Sequence, residues 1–433
     1  MLGRDRPSRA RADPGYAGPV ELRNWGGNYR YRARAVHRPT SLDELRRLLA
    51  STGRLHVAGS RHSFTAIGDG EELVTLEDLP SEVSIDRDAG TVSLPSHLRY
   101  GELAEQLASE GLALANLASL PHISVAGAVA TATHGSGVAN GNLATGVAAL
   151  ELLRSDGEIA WLRRGEPGFD GAVVALGALG VVTRVELDIE PAYEISQHVY
   201  EGLAWDALFE HFDAIFSAAY SVSVFLRWGE RTDQVWLKRR ASDPPAPEEL
   251  FGAPPAPADR HPIAGLDPVN CTPQLGRPGP WMDRLPHFRM GFTPSSGHEI
   301  QSEYHVPRER AVEAIDALRA IRPATRELVQ VTELRAVAAD SLWLSPQYGR
   351  DTVAVHFTWT PDQPAVERAL AELEEVLMPL GARPHWGKLF LARAADLAGA
   401  YDRFADFEAL VRQFDPGGKF RNEWLEAHVL GAA

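Results

Sequence analysis

The run LANLASLPHISVAGAVATATHGSGVANG, from Leu114 to Gly141, constrains this chain more than any other segment. It is built from glycine, alanine, hydroxyl and aliphatic residues and is almost without charge. Small side chains let backbone approach a ligand closely, and free N–H groups in turns hold anionic oxygens without basic side chains. A tightly packed helix–turn in a core would use the same residues. Ser119, Ser124, Thr131, Thr133, His134 and Ser136 are too many hydroxyl and imidazole groups for a plain core, which favours a cradle for a cofactor. Gly135-Ser136-Gly137 opens like a dinucleotide fingerprint, but its third glycine falls at 141, one position late, and no clean strand precedes it. A Rossmann site is therefore rejected.

The chain has 433 residues, enough for two domains with one inserted in the other. A formal net charge of -15 argues against nucleic-acid binding, which needs a basic surface, and suits a neutral or cationic ligand. A lone cysteine, Cys271, cannot make an intrachain disulfide, so a reducing, cytoplasmic setting is expected. No apolar run approaches the ~18 residues of a membrane span. Residues 1–22 are Arg- and Pro-rich with no apolar core, and read as a disordered tail and not a signal peptide. The expected state is a monomer.

Local patterns place the elements. PTSLDELRRLLAS carries a capping box, Ser41 with Glu44, and a stripe of Leu42, Leu45, Leu48 and Leu49. RLHVAGS and ELVTLEDL read as strands. VSIDRDAGTVSL and VAALELLRSDGEIAWL read as hairpins around Asp88-Ala89-Gly90 and Ser155-Asp156-Gly157. YGELAEQLASEG is a helix that Gly111 caps, and VTRVELDIEP alternates Val185, Leu187 and Ile189 as a strand with one buried face. This mixture is α+β for the first ~190 residues. Beyond it, SVSVFLRW and QVWLKRR are strands, and seven prolines between Pro244 and Pro262 mark a long irregular excursion. A helix through Val312, Ile315 and Leu318, strands ELVQVTELRAV and TVAVHFTWT, and a helix through Val366, Leu370, Leu373 and Leu377 make a second sheet domain.

Chemistry-bearing residues sit on these elements. In HVAGSRHSF a strand end breaks at Ala58-Gly59-Ser60 and presents Arg61 and His62. Glu333 and Arg335 are two apart on a strand and leave the same face; spacing alone favours solvent for both. His356 and Thr358 oppose Val353, Val355, Phe357 and Trp359, the pattern of a half-exposed strand. In HWGK, Lys388 is either a desolvated lysine or a surface lysine whose stem lies on Trp386. No metal-binding spacing and no G-x-S-x-G elbow is present.

AGSRHSF, ASLPHISVAGAVATATHGSG, ELRAVAAD, AVHFTWT and HWGK together resemble the alditol (xylitol) oxidases, within the vanillyl-alcohol-oxidase-type flavoprotein superfamily. The resemblance covers the chain from Asn24 onward. It implies a two-subdomain FAD-binding (PCMH-type) domain at 23–190, an inserted α/β substrate (cap) domain with an antiparallel sheet at 191–383, and a segment, 384–433, returning to the flavin. Carried over by position, His62 is the covalent attachment point of FAD, and the loop Val57, Ala58, Gly59, Ser60, Arg61, His62, Ser63 wraps the pyrophosphate. Ser119, Ser124, Gly127, Thr131, Ala132, Thr133, His134 and Val181 or Val182 line the rest, with His385 near the flavin ring. Ser119, Glu333, Arg335, His356, Thr358 and Lys388 hold the substrate hydroxyls, which turns the Glu333/Arg335 and His356/Thr358 faces toward a polyol. One departure is Arg61, where the family has a small residue, often glycine; if that position takes a positive φ, arginine is strained there.

A polyol is neutral and offers only hydroxyls, so a row of alternating donors and acceptors suits it. Lys388 and Arg335 are the expected catalytic pair, stabilising a developing alkoxide, with Lys388 able to accept the proton when neutral. FAD is the expected cofactor, a polyol and O2 the partners, and no metal is expected. Alternatives are an aldonolactone oxidase of the same superfamily, or a flavin dehydrogenase with another acceptor.

Overall fold

A computed structural model describes residues 22–291 and 299–431, without the side chains of 322–325. The expected disordered tail lies outside the described residues except for Leu22.

The N-terminal part begins with a capped helix. The Ser41 hydroxyl accepts from Glu44 N at 3.2 Å, and helix Leu42–Ser51 buries Leu45 and Leu49 against strand residues Leu55 and Val74. Strand Glu72–Val74 lies between Val36–His37 and Leu55–Val57 in a small parallel sheet. A five-stranded antiparallel sheet follows, in the order Ser84–Asp86, Thr91–Pro95, Val181–Asp188, Val147–Leu153, Ile159–Arg163. Its central strand, Val181–Asp188, alternates buried and half-buried residues, as its period-two pattern dictates. Helix Tyr100–Ser109 ends at Gly111, whose φ of 71° closes it at little steric cost.

The second part is organised by eight antiparallel strands. Their order is Gly279–Pro280, Glu194–Glu201, Gln234–Arg240, Ser221–Leu226, Val329–Val337, Thr352–Trp359, Ile300–Pro307 and Arg383–Pro384. Helices Ala311–Thr325 and Gln363–Leu377 supply Leu318, Val366 and Leu370 to a core shared with Val353, Val355, Phe357 and Trp359. Thr352–Trp359 is buried on both faces, so the half-exposed strand expected from its alternation is corrected: a second layer covers the His356/Thr358 face. Glu194–Glu201 and Ile300–Pro307 were not anticipated as strands.

The two parts are stitched together. Gly137 N donates to Ala336 O at 2.9 Å, joining the small-residue run to Val329–Val337. The C-terminal segment crosses back: Phe64 N donates to Gly387 O at 2.9 Å, and Leu55 N to Lys419 O at 2.9 Å. Asn422 Nδ2 donates to the carbonyls of Ile67 and Asp69. Residues far apart in sequence thus meet over the turn that carries His62.

Candidate active site

A cavity runs from the His62 loop, along the small-residue run, to the Glu333/His356 face of the eight-stranded sheet. Its first half is backbone-rich. Ser124 caps the short helix Val125–Ala130, so the run is both a helix–turn and a cavity wall. Ser124 N donates to Ser60 Oγ at 3.0 Å and Ser60 N to Ser124 Oγ at 3.3 Å, which locks the two cradle segments together. A Cβ added at Gly59 or at Gly127 would lie 2.8 Å from Ser124 Oγ, so both positions need glycine for this approach.

His62 stacks on Trp25 with ring centroids 5.4 Å apart. Both of its ring nitrogens are shielded from solvent without a hydrogen-bond partner among the described residues. Burial, helped by His122, pushes its pKa down to about 4, so the imidazole is neutral and its lone pair available. Arg61, just before it, has φ 59°, so a non-glycine residue does occupy the left-handed region there. Trp25 N donates to Arg61 O at 2.8 Å and holds the turn.

The second half is polar and is set by strand register. Phe225 pairs with Glu333, Glu333 with His356, and His356 with Glu303, so four neighbouring strands place these side chains in one row. Arg335 and Thr358 lie two residues along on the same face. Glu333 and Arg335 are 4% and 5% exposed, which overturns the solvent placement that spacing favoured. Each charge has a partner: Arg335 Nε lies 3.5 Å from Glu333 Oε1, and His287 Nε2 lies 2.8 Å from the same oxygen. Burial pushes the Glu333 carboxyl up, but Arg335 and His287 outweigh it and hold it well below the usual carboxylate range. Arg335 Nη1 also donates to Ser119 Oγ at 3.2 Å. His287 N donates to Ser119 O at 3.1 Å, so Ser119 sits where the cradle meets the sheet.

Lys388 reaches in from the HWGK loop. Trp386 is fully buried and donates Nε1–H to Leu344 O at 2.6 Å; the lysine head points to Glu303 Oε2, not to solvent. Burial lowers the Lys388 pKa and Glu303 opposes that shift. His385 Nδ1 accepts from Gly387 N at 3.0 Å, which fixes the loop's turn.

Among the residues singled out from sequence, Val57, Ala58, Gly59, Ser60, Arg61, His62, Ser63, Ser119, Ser124, Gly127, Thr131, Thr133, His134, Val182, Glu333, Arg335, His356, Thr358, His385 and Lys388 all line this cavity. Two do not. Val181 turns the other way and packs with Leu45, Leu55 and Leu153, because neighbours on a strand alternate faces; Val182 is the lining residue. Ala132 is fully buried in the core at φ 52°. Glu303, His287 and Lys238 were missed. Lys238 is fully buried and donates to the carbonyls of Arg284, Leu285 and Pro286 at 2.8, 2.5 and 3.0 Å, anchoring the loop that carries His287. Glu303 lies on Ile300–Pro307, a strand not anticipated, and only its pairing with His356 brings it to the site.

Comparison with known proteins gives the chain a family. An alditol oxidase from a Streptomyces species is 49% identical over 407 residues, covering 93% of this chain and 97% of the relative. The chain belongs to the alditol oxidase family. More distant is the L-gulono-1,4-lactone dehydrogenase of Mycobacterium tuberculosis, 29% identical over 94% of this chain and 98% of that protein. Residues 33–163 of this alditol oxidase family member match an FAD binding domain, and 296–428 match the D-arabinono-1,4-lactone oxidase family. A solved structure of cholesterol oxidase from B. sterolicum superposes with TM-score 0.77 at 13% identity, covering 97% of this chain and 99% of that one. That likeness shows the fold, α+β with antiparallel sheets. No helix among the described residues is long and apolar enough to cross a membrane.

The residues present fit FAD. The paired segments 57–63 and 119–134 offer glycine-lined backbone, and the unpartnered neutral imidazole of His62 offers a nucleophilic nitrogen.

Proposed function

We propose that this chain is an FAD-dependent alditol oxidase that converts the terminal primary alcohol of a polyol such as xylitol or sorbitol to the aldose and reduces O2 to H2O2. The observation that carries this reading is the register row. Glu333 and His356, flanked by Arg335, Thr358 and Lys388, present acceptors and donors to one cavity that continues to the cradle. Held by segments 57–63 and 119–134, FAD would supply a two-electron acceptor for the alcohol carbon that O2 can reoxidise.

The chain's own groups do the rest. Glu333, held ionised, accepts from a substrate hydroxyl, while Arg335, Thr358 and Ser119 donate to hydroxyl oxygens. Lys388 in its neutral form accepts the proton of the C1 hydroxyl, and with Arg335 it stabilises the alkoxide that develops on that oxygen. Covalent attachment through His62 is supported by its orphaned ring nitrogens, and Arg61 leaves its side chain exposed at the mouth of the same loop. The 49% relative weighs against the lactone reading that the 296–428 match alone would suggest.

Anaerobic addition of xylitol or sorbitol should bleach the yellow enzyme, and air should restore the colour with release of H2O2. Bleaching by an aldonolactone but by no polyol would overturn the proposal. Flavin colour that stays with acid-precipitated protein, and is lost in His62→Ala, tests the linkage.

A further inference from the structure

Glu303 is a fully buried carboxylate on the strand beside His356, and it is the hub of the polar cluster. Lys388 Nζ contacts Oε2, His356 Nδ1 lies 3.1 Å from the same oxygen, and Arg335 Nη2 lies 3.5 Å from Oε1. His134 Nε2 also contacts Oε1, and His305 Nε2 lies 3.9 Å from it. The tautomers can be read from the partners. Gln347 Nε2 donates to His305 Nδ1 at 2.8 Å, so His305 carries its proton on Nε2, facing Glu303. His134 Nδ1 lies 2.8 Å from Gly135 O, a carbonyl that only accepts, so Nδ1 carries a proton. Its Nε2 then meets a carboxylate oxygen, and two bare lone pairs cannot make that contact. A proton lies between them.

Lys388 Nζ also lies 2.7 Å from His356 Nδ1. His356 Nδ1 thus faces both Lys388 and Glu303 Oε2, and its Nε2 lies 3.2 Å from Thr358 Oγ1, which carries the network on to the cavity wall. His385, whose ring centroid is 6.1 Å from those of His134 and His305, uses Nδ1 as an acceptor and adds no charge to the hub.

We propose that Glu303 is the positioning residue of this site, sharing a buried proton with His134 on one oxygen while holding and tuning Lys388 on the other. The assignment rests on the alditol oxidase reading. Burial lowers the His134 pKa and Glu303 opposes that shift; the proton between the two is placed by contact geometry, Nδ1 on the Gly135 carbonyl and Nε2 on the carboxylate. Glu333, paired with Arg335, also raises the Lys388 pKa, so the groups facing Lys388 are Glu303, Arg335, Glu333, His356 and the His134 proton.

The two members of the pair should act on Lys388 in opposite directions. Removing a neighbouring negative charge lowers a lysine pKa, and removing a neighbouring positive charge raises it. The test follows anaerobic flavin reduction by xylitol against pH in the holoenzyme. Glu303→Gln should move the acid limb about one unit or more to lower pH, and His134→Asn should move it by about half a unit or more to higher pH. Glu303→Asp, which keeps the charge, should restore the parent limb at reduced rate. Scaffolding alone would lower rates without moving the limbs, so coincident limbs in Glu303→Gln and His134→Asn overturn the proposal. If Glu303→Gln yields no folded protein, the limb of His134→Asn decides by itself. A parent that no polyol bleaches defeats the functional reading, which is seen before any variant is made.

Discussion

Lys238→Met removes the ammonium that ties three successive carbonyls, those of Arg284, Leu285 and Pro286. Methionine fills nearly the same volume, so the change is one of hydrogen bonding and charge. Each bond from a charged donor contributes about 1.5–3 kcal/mol, and an orphaned buried carbonyl adds a further penalty. Against this, relieving the burial of an ammonium recovers several kcal/mol. The balance is a loss of about 3 kcal/mol. Part of it is local, because the released loop carries His287, whose Nε2 lies 2.8 Å from Glu333 Oε1. Glu333 would lose a partner and drift from its hydroxyl-accepting position. Lys238→Met should therefore lower Tm by roughly 5 °C and raise KM for xylitol about tenfold, one hydrogen bond's worth, with flavin content unchanged. Thermal unfolding followed by flavin fluorescence, with peroxide-coupled kinetics, reads both quantities. A variant with parental Tm and parental KM would refute the reasoning, since it would mean the three carbonyls need no donor.

Gly59→Ala places a methyl 2.8 Å from Ser124 Oγ and should cost about 1–3 kcal/mol of the cradle's closure, read as a lower flavin-to-protein absorbance ratio. Arg61→Gly removes a side chain from φ 59° and should leave the urea midpoint equal or higher, whereas Arg61→Val should lose about 1–2 kcal/mol there. The His62 pKa, pushed down to about 4, links stability to pH. The unfolded chain binds the proton first, so this contribution is full above about pH 6.5 and is lost as pH falls toward 4, of the order of 3 kcal/mol in all. Flavin-free protein should show a decline that includes this share by urea titration, and His62→Asn should reduce it by about that amount, leaving the part due to the other buried histidines.

Local signals in the sequence were strong wherever geometry is local. The Ser41–Glu44 cap, the Asp88-Ala89-Gly90 and Ser155-Asp156-Gly157 turns and the Val185/Leu187 alternation each specify their element through neighbours a few residues away. The site was legible as residue types and not as an environment. Glu333, Arg335 and His356 looked solvated because the segments that bury them come from other parts of the chain, the His287 loop and the 118–134 run among them. Glu303 escaped notice because its meaning depends on standing beside His356 across strands 53 residues apart in sequence, which no spacing rule can report. Lys238 reads in sequence as a strand-end charge; only the fold brings three carbonyls to it.

The row formed by Phe225, Glu333, His356 and Glu303 has a consequence for how such an enzyme can change. Its members are aligned by backbone pairing, so inserting or deleting a single residue within any of these four strands would turn that strand's member of the row toward the opposite face. Selectivity for longer or shorter polyols therefore has two routes open to it. One is exchange of side chains at fixed positions. The other is growth or loss in the connections, above all the proline-rich excursion whose His261, Pro262 and Ile263 already reach the cavity wall. The lattice of paired strands is the fixed ruler, and only the side chains it carries and the loops around it are free to vary the length it measures.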